Sequence, residues 1–152
     1  MRRAIELARV TSLVKKAGGP FGSVIVKNGE IVAEGANTVL ADNDPTCHGE
    51  MNAIRGACKK LETHDLSGCT LYTTGEPCPM CYAASWWARI DKIYYASTIQ
   101  DAKIFGNFDD VPISDAMNAE IKDRSLPGVQ LLEDEMLKVW EEFFEQKNRL
   151  HY

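Results

Sequence analysis

The sequence predicts an α/β layered domain with a mixed sheet, and three observations support this prediction. Two β-branched runs, Phe21–Lys27 and Glu30–Glu34, flank Asn28-Gly29, a pair that readily takes positive φ at both positions and forms two-residue hairpins. The later strand patterns alternate with helical ones, as in layered α/β proteins. With 152 residues, 45% of them hydrophobic and 26% charged, the chain suits one domain, residues 1–152, and wholesale disorder is excluded.

Hydrophobic spacing predicts the individual elements in chain order. Apolar or small residues recur three or four positions apart near the N-terminus, which indicates an amphipathic helix. The last helix carries its large apolar residues, Met136, Leu137, Trp140, Phe143 and Phe144, on one face. The predicted elements are a helix over 4–17, the hairpin, a helix over 49–60, a strand over 70–74, a buried helix over 80–88, strands over 92–96 and 129–132, and a helix over 134–147. Residues 100–128 are predicted to form a long loop with one short helix.

Charge and hydropathy exclude two classes of partner. The formal net charge is −5, which argues against a broad phosphate-tracking surface, so no nucleic acid is expected as a partner. No apolar run approaches the roughly 20 residues that a membrane-spanning helix needs, so no membrane is expected either. The first residues are amphipathic and show no apolar signal core, which indicates a cytoplasmic protein.

The five cysteines are an odd number, which argues against a complete disulfide framework in a cytoplasmic chain and favours metal binding or buried thiols. Two of them, Cys78 and Cys81, stand three positions apart where a strand pattern turns into a helix. His48 opens another predicted helix. Two thiolates at a helix N-terminus can face one metal, because the helix end favours the deprotonated thiol.

His48, Cys78 and Cys81 therefore form the predicted ligand set of one Zn²⁺ per chain. Three protein ligands are the number expected of a catalytic zinc whose fourth position holds a water, and sulfur with nitrogen selects zinc over magnesium or calcium. Glu50, two positions after His48, is predicted to take a proton from that water and return it to a nitrogen leaving group.

Two plainer interpretations of these residues stay open. The Cys-x-x-Cys pair could be a redox site. The metal could also be purely structural, with a fourth ligand from Cys47, Cys58, Cys69 or His64.

The joint pattern His-x-Glu followed by Pro-Cys-x-x-Cys resembles the signature of the cytidine deaminase-like superfamily, and the chain is most similar to bacterial guanine deaminases. The resemblance covers nearly the whole chain. It is carried by Gly18-Gly19-Pro20-Phe21-Gly22, Glu34-Gly35-Ala36-Asn37, Asn43-Asp44-Pro45-Thr46, Glu50 with Ala53-Ile54-Arg55, Glu76-Pro77-Cys78-Pro79-Met80-Cys81, Trp87-Ala88-Arg89 and Phe108-Asp109-Asp110. It implies a three-layer α/β/α sandwich around a mixed five-stranded sheet.

The resemblance also implies further site residues. Asn37 would hydrogen-bond the bound base, and Phe21 and Trp87 would pack against its ring. Asp110 would assist proton transfer at the leaving amine, and Tyr152 would contact the far edge of the base.

The function implied is zinc-dependent hydrolytic deamination of a small free nucleobase, guanine first, giving xanthine and ammonia, by a homodimer. Deamination of cytosine or guanosine is the first alternative, since Gly49 stands where guanine deaminases usually carry Ala and yeast-type cytosine deaminases carry Gly. A tRNA adenosine deaminase and a non-catalytic zinc-stabilised binding module are the others.

Overall fold

The computed structural model describes residues 1–149, which fall into two compact units, Met1–Asp115 and the segment from Ala116 onward. The strands are β1 (Gly22–Lys27), β2 (Glu30–Ala36), β3 (Cys69–Gly75) and β4 (Lys92–Ser97). The α-helices are α1 (Arg2–Arg9), α2 (Val39–Asp42), α3 (Gly49–Leu61), α4 (Pro79–Trp87), α5 (Ile99–Gly106), α6 (Asp110–Met117) and α7 (Glu133–Glu145). A π-helical turn, Val10–Val14, continues α1, and a 3₁₀ turn spans Ile121–Asp123.

The sheet is mixed, as predicted, with the strand order β2-β1-β3-β4. The β1 strand pairs antiparallel with both β2 and β3, whereas β3 and β4 are parallel and are joined through α4. The β1–β2 hairpin turns at Asn28 and Gly29, which have φ values of 53° and 82°. This confirms the positive-φ turn predicted from the Asn-Gly pair.

The predicted fifth strand is wrong, because the residues described form four strands. Residues 129–132 adopt no regular structure and pair with no strand in the described part of the chain. They follow Leu126-Pro127-Gly128, and Leu132 takes a left-handed conformation with φ 56°, which ends any extended run. Val129 is 89% exposed, so its β-branched side chain lacks the packing that a strand would supply.

Helices lie on both faces of the sheet in the unit Met1–Asp115. Gly22 contacts the backbone of α1, and the next residue along β1, Ser23, pairs with Gly35, which contacts the backbone of α3. Successive residues of a strand point to opposite faces, so α1 and α3 cover opposite sides. The core between α3 and the sheet consists of Ile25, Ala53, Ile54, Ala57, Leu66, Cys69, Leu71 and Ala88.

The second unit is built mainly from α7, whose observed bounds agree with the predicted helix over 134–147. Trp140 and Phe143 meet edge to face on this helix, with ring centroids 6.2 Å apart. Upstream, the amide of Gly128 donates to the Ile121 carbonyl at 3.2 Å, which closes the loop after the 3₁₀ turn.

The predicted long loop over 100–128 instead contains α5, α6 and the 3₁₀ turn Ile121–Asp123.

Among the described residues, no helix combines the length and apolar character that a bilayer crossing requires.

Replacing Gly35 by alanine should destabilise the protein. A Cβ atom there would lie 2.2 Å from the Gly49 carbonyl oxygen and 2.4 Å from the Ala53 amide nitrogen, so α3 would have to move. We expect Gly35→Ala to lower the free energy of unfolding by at least about 2 kcal/mol in urea titrations. The matched control is Gly56→Ala on α3. Among the described residues its Cβ would meet only the Ala33 methyl, at 3.4 Å, and the substitution should raise stability by up to about 1 kcal/mol. Equal effects of the two substitutions would contradict this packing.

Candidate active site

Two helix N-termini bring the predicted metal ligands together. His48 is the N-cap of α3, and Cys78 is the N-cap of α4, whose first turn carries Cys81. Pro79 occupies the first helical position of α4, where its fixed φ favours helix initiation and its missing amide hydrogen is not needed. Each ligand is therefore fixed where the backbone changes from extended to helical.

The three side chains have the spacing of a zinc site. The Nδ1 atom of His48 lies 3.7 Å from Cys78 Sγ and 3.6 Å from Cys81 Sγ, and the three ligand atoms lie within 4.8 Å of one another. Tetrahedral zinc, with Zn–S near 2.3 Å and Zn–N near 2.0 to 2.1 Å, puts sulfur and nitrogen roughly 3.5 Å apart. The donor set and its geometry therefore fit zinc. No fourth His, Cys, Asp or Glu joins this cluster among residues 1–149.

Hydrogen bonds link the protonation of the two thiols to that of the His48 imidazole. The hydrogen bond from Cys81 lowers the pKa of Cys78, and the hydrogen bond with His48 lowers it further against the effect of burial. The same contact with Cys78 raises the pKa of His48. A Cys78 thiolate beside it, together with burial, raises the pKa of Cys81. A metal cation would replace these shared protons, since metal binding to thiols and imidazole releases protons.

Glu50 is buried on the first turn of α3, with 4% of its surface exposed. Its Oε1 accepts a hydrogen bond from the Thr73 hydroxyl at 3.0 Å, and its Oε2 accepts one from the Cys81 thiol at 3.5 Å. Burial raises the pKa of Glu50, whereas the Thr73 hydrogen bond lowers it. The carboxyl group therefore lies next to the metal ligands with its affinity for a proton increased.

Thr73 is a site residue that the sequence did not reveal. Its hydroxyl accepts from Ser23 Oγ at 3.0 Å and donates to Glu50, so a chain of buried hydroxyls runs from β1 through β3 to the carboxylate. The available signal was the strand alternation, which puts Leu71 and Thr73 on the face covered by α3. The sequence pattern alone did not reveal that Glu50 lies opposite this position.

A cavity of about 520 Å³ opens beside the metal cluster. Its polar lining consists of Asn37, His48, Glu50, Glu76, Cys78, Thr98, Asp109 and Asp110, and its apolar lining of Phe21, Val39, Leu40, Pro45, Ala102, Phe108 and Ile113. No lysine or arginine lines the cavity within the described chain. The walls are thus apolar and acidic.

Most of the predicted site residues meet at this cavity. Phe21 and Asn37 line it together with Glu50 and two of the metal ligands, and Asp110 closes one side. Burial raises the pKa of Asp110, and the neighbouring Cys78 adds to the effect. Cys81 is fully buried within the cluster.

One predicted residue is not part of the cavity wall. Trp87 lies at the end of α4 with 60% of its surface exposed and is not among the lining residues. Tyr152 lies outside the described residues.

Asn37 is held in place by one hydrogen bond from its backbone and one to its side-chain oxygen. Its backbone N–H donates to the Phe21 carbonyl at 2.8 Å, and its side-chain Oδ1 accepts from the Val39 backbone N–H at 3.2 Å. The side chain is only 4% exposed. Oδ1 already accepts one hydrogen bond, and the Nδ2 group is the donor that Asn37 can offer to a ligand in the cavity.

Phe108 and Glu76 also belong to the cavity wall. The Phe108 ring meets Phe21 edge to face, with centroids 4.9 Å apart, so the two rings form one aromatic wall. Glu76 Oε2 accepts from the Ile99 amide at 3.2 Å and thereby ties the segment before Cys78 to the start of α5. The motif segments contained both residues, but these contacts depend on the tertiary fold.

Comparison with known proteins agrees with this geometry. Residues 1–97 match the cytidine and deoxycytidylate deaminase zinc-binding region. The chain belongs to this deaminase family. It is 43% identical to the guanine deaminase of Bacillus subtilis over 150 residues, covering 97% of this chain and 95% of that protein.

Solved deaminase structures also superpose on the chain. The X-ray structure of the Bacillus subtilis guanine deaminase gives a TM-score of 0.85 and covers 98% of this chain and 96% of that one. A guanine deaminase from Nitrosomonas europaea gives 0.67 at 32% identity, covering 73% of this chain and 63% of that one. By sequence, the tRNA-specific adenosine deaminase of Aquifex aeolicus is 42% identical over 93 residues, covering 61% of this chain and 62% of that protein.

Removing the Thr73 hydroxyl should impair this deaminase domain without removing its metal. Thr73→Val leaves Glu50 without its hydroxyl donor, and a lost hydrogen bond to a charged group corresponds to about a tenfold or greater fall in kcat. Zinc content, measured by atomic absorption, should stay at the wild-type level. Thr70→Val, on the opposite face of β3, is the control and should keep wild-type kcat. Unchanged kcat in Thr73→Val would show that the hydroxyl does not act on Glu50.

Proposed function

We propose that this protein catalyses the hydrolytic deamination of a free nucleobase, guanine to xanthine and ammonia, as a zinc enzyme. The observation that carries the proposal is the placement of Glu50 beside the His48–Cys78–Cys81 cluster, with Glu50, His48 and Cys78 lining one cavity of apolar and acidic walls. Similarity to a guanine deaminase over nearly the whole of both chains supports guanine as the substrate.

His48, Cys78 and Cys81 are the residues that would hold the metal. When bound there, zinc lowers the pKa of a coordinated water toward neutrality and so supplies a nucleophile for attack on the ring carbon that bears the amino group.

Glu50 moves the protons of the reaction. Its Oε1 is held by Thr73, so Oε2, which lies beside Cys81, is the oxygen that faces the metal cluster. Oε2 takes a proton from water and delivers it to the departing amine nitrogen. Burial raises the pKa of Glu50, which helps the carboxylate to accept that proton before passing it on. Asp110, at the side of the cavity, is the proposed second carrier at the leaving amine.

Substrate binding combines one amide with an aromatic wall. The Asn37 Nδ2 group can donate to an acceptor on the base, while Oδ1 accepts from the Val39 backbone N–H. Phe21, buttressed edge to face by Phe108, offers a flat apolar surface to a heterocycle. Trp87 is not assigned to substrate binding, because it is not among the residues that line the cavity.

The charge of the cavity favours a free base over a phosphorylated substrate. Glu76, Asp109 and Asp110 line it, and no lysine or arginine does so within residues 1–149. A nucleotide or a tRNA would bring phosphates toward these carboxylates, with no lysine or arginine in the described lining to pair with them. Cytosine and guanosine, which carry no phosphate, remain the competitors for a substrate assay.

Glu50→Ala tests the proposed chemistry. With zinc-loaded protein and guanine, kcat should fall by about 10² to 10⁴, the range that a general acid–base group contributes, while zinc stays at one per chain. Glu62→Gln, which alters an exposed acid at the other end of α3, should retain wild-type activity. Near-normal turnover by Glu50→Ala would overturn the mechanism.

We also propose that the protein is a cytoplasmic homodimer that associates through α4. Its solvent side carries Tyr82, Trp86 and Trp87, and Trp86 is 71% exposed, an unusual density of large apolar side chains at a surface. The cytoplasmic location is supported by the five cysteines, none of which forms a disulfide within residues 1–149, as in a reducing compartment.

Sedimentation equilibrium tests the dimer. Wild-type protein should sediment at about twice the chain mass of 16.9 kDa, and Trp86→Glu should sediment as a monomer. Phe105→Glu, at an exposed position on α5, is the control and should remain dimeric. A dimeric Trp86→Glu variant would exclude this surface as the interface.

A further inference from the structure

Asn52 lies outside the cavity and the metal cluster, yet its side chain contacts the segments that carry both. It stands on α3, one helical turn after His48, and is half-buried. Its Nδ2 donates to the Ala36 carbonyl at 2.9 Å and to Thr38 Oγ1 at 3.0 Å, and it lies 3.5 Å from the Cys47 carbonyl. One amide group therefore touches three positions on two different segments.

Those three positions are the sequence neighbours of Asn37 and His48. Ala36 and Thr38 are the neighbours of Asn37 on either side, and Cys47 immediately precedes His48. The Thr38 amide also donates to the Cys47 carbonyl at 3.0 Å, so the two segments meet directly at the point that Asn52 covers. The distance between the Asn37 segment and the His48 segment is thus set at this junction.

Arg55 fixes which way the Asn52 amide points. Its Nη1 donates to Asn52 Oδ1 at 3.3 Å and approaches Cys47 Sγ at 3.7 Å, while its Nη2 donates to Thr46 Oγ1 at 3.0 Å. With a donor at Oδ1 and acceptors around Nδ2, the site requires an amide. An aspartate would keep the shape, but its carboxylate could not donate to the Ala36 carbonyl or to Thr38 Oγ1.

We propose that Asn52 is a positioning residue that holds the base-binding Asn37 and the metal-binding His48 at a fixed separation. The inference rests on the proposed function for the role of Asn37, whereas its effect on the metal site stands on the hydrogen bonds alone. Asn52 touches neither substrate nor metal, so it acts through the two segments it joins.

The test uses Asn52→Leu and the isosteric Asn52→Asp in a double-mutant cycle with Asn37→Ala. In the wild-type background, each substitution should raise KM for guanine about tenfold and change kcat less than about threefold. In the Asn37→Ala background, the same substitutions should change KM less than about twofold, because the residue through which they act is gone. If the Asn52 substitutions raised KM equally in both backgrounds, Asn52 would not act by positioning Asn37, and that part of the proposal would be wrong.

Zinc release to a chromogenic chelator gives a second readout that needs no catalysis. Both Asn52 variants should release zinc at least about threefold faster than wild type, since the His48 segment loses its lateral support. The control is Ile54→Val, a core substitution on α3 that lowers thermal stability without touching either segment. Its KM and zinc-release rate should match those of wild type. If Ile54→Val changed both values as much as the Asn52 variants do, the effect of Asn52 would be a general loss of stability and the positioning role would be wrong.

The two proposals fail in different ways. If wild-type protein with one zinc per chain leaves guanine unchanged, the proposed substrate is wrong, and the zinc-release rates alone decide the role of Asn52. If wild type deaminates guanine and both Asn52 variants keep wild-type KM and zinc release, the positioning role is wrong and the function stands.

Discussion

The close packing of α3 on the sheet at Gly35 is the constraint on which the rest of the site depends. A hydrogen atom is all that fits between this residue and the backbone of Gly49 and Ala53. Because α3 can approach so closely, its first turn presents Glu50 to the Thr73 hydroxyl at the end of β3. The chain leaves that strand through the segment that carries Cys78, so one helix–sheet contact aligns the Glu50 carboxyl group, the His48 imidazole and the two thiols.

Burying these groups together has an electrostatic cost that a metal dication can offset. Glu50 and Cys81 are both almost fully buried, and Cys78 lies beside them. Cys78, burial and Glu50 together raise the pKa of Cys81, and burial, with a smaller contribution from Cys78, raises that of Glu50, because like charges would accumulate in a dry site. Two positive charges at the shared position of His48, Cys78 and Cys81 would balance two thiolates, and the hydroxyl chain through Thr73 satisfies the carboxylate.

Local sequence signals predicted the parts of the fold that are local in origin. The Asn28-Gly29 hairpin, the helix starts beside His48 and Cys78, and the amphipathic α7 each follow from neighbouring residues, and each is present. The metal ligands were predicted because two short motifs carry them. The false fifth strand came from the same kind of reasoning, since Val129 and Leu131 have strand propensity but no partner strand among the described residues.

The remaining features depend on tertiary contacts that no local pattern encodes. In the sequence, nothing distinguishes Thr73 from other strand residues or Asn52 from other helix residues. In the fold, Thr73 contacts Glu50, and Asn52 contacts the segment that carries Asn37. Trp87 belongs to a motif segment, but it lies at the C-terminal end of α4, is 60% exposed and is not among the lining residues of the cavity.

The most direct measurement of the central claim is ultraviolet assay of guanine with protein loaded to one zinc per chain, with ammonia determined in the same sample. The account predicts steady formation of xanthine and ammonia in equal amounts, with cytosine and guanosine converted far more slowly. Absence of guanine conversion at full zinc loading, or faster conversion of cytosine, would contradict it.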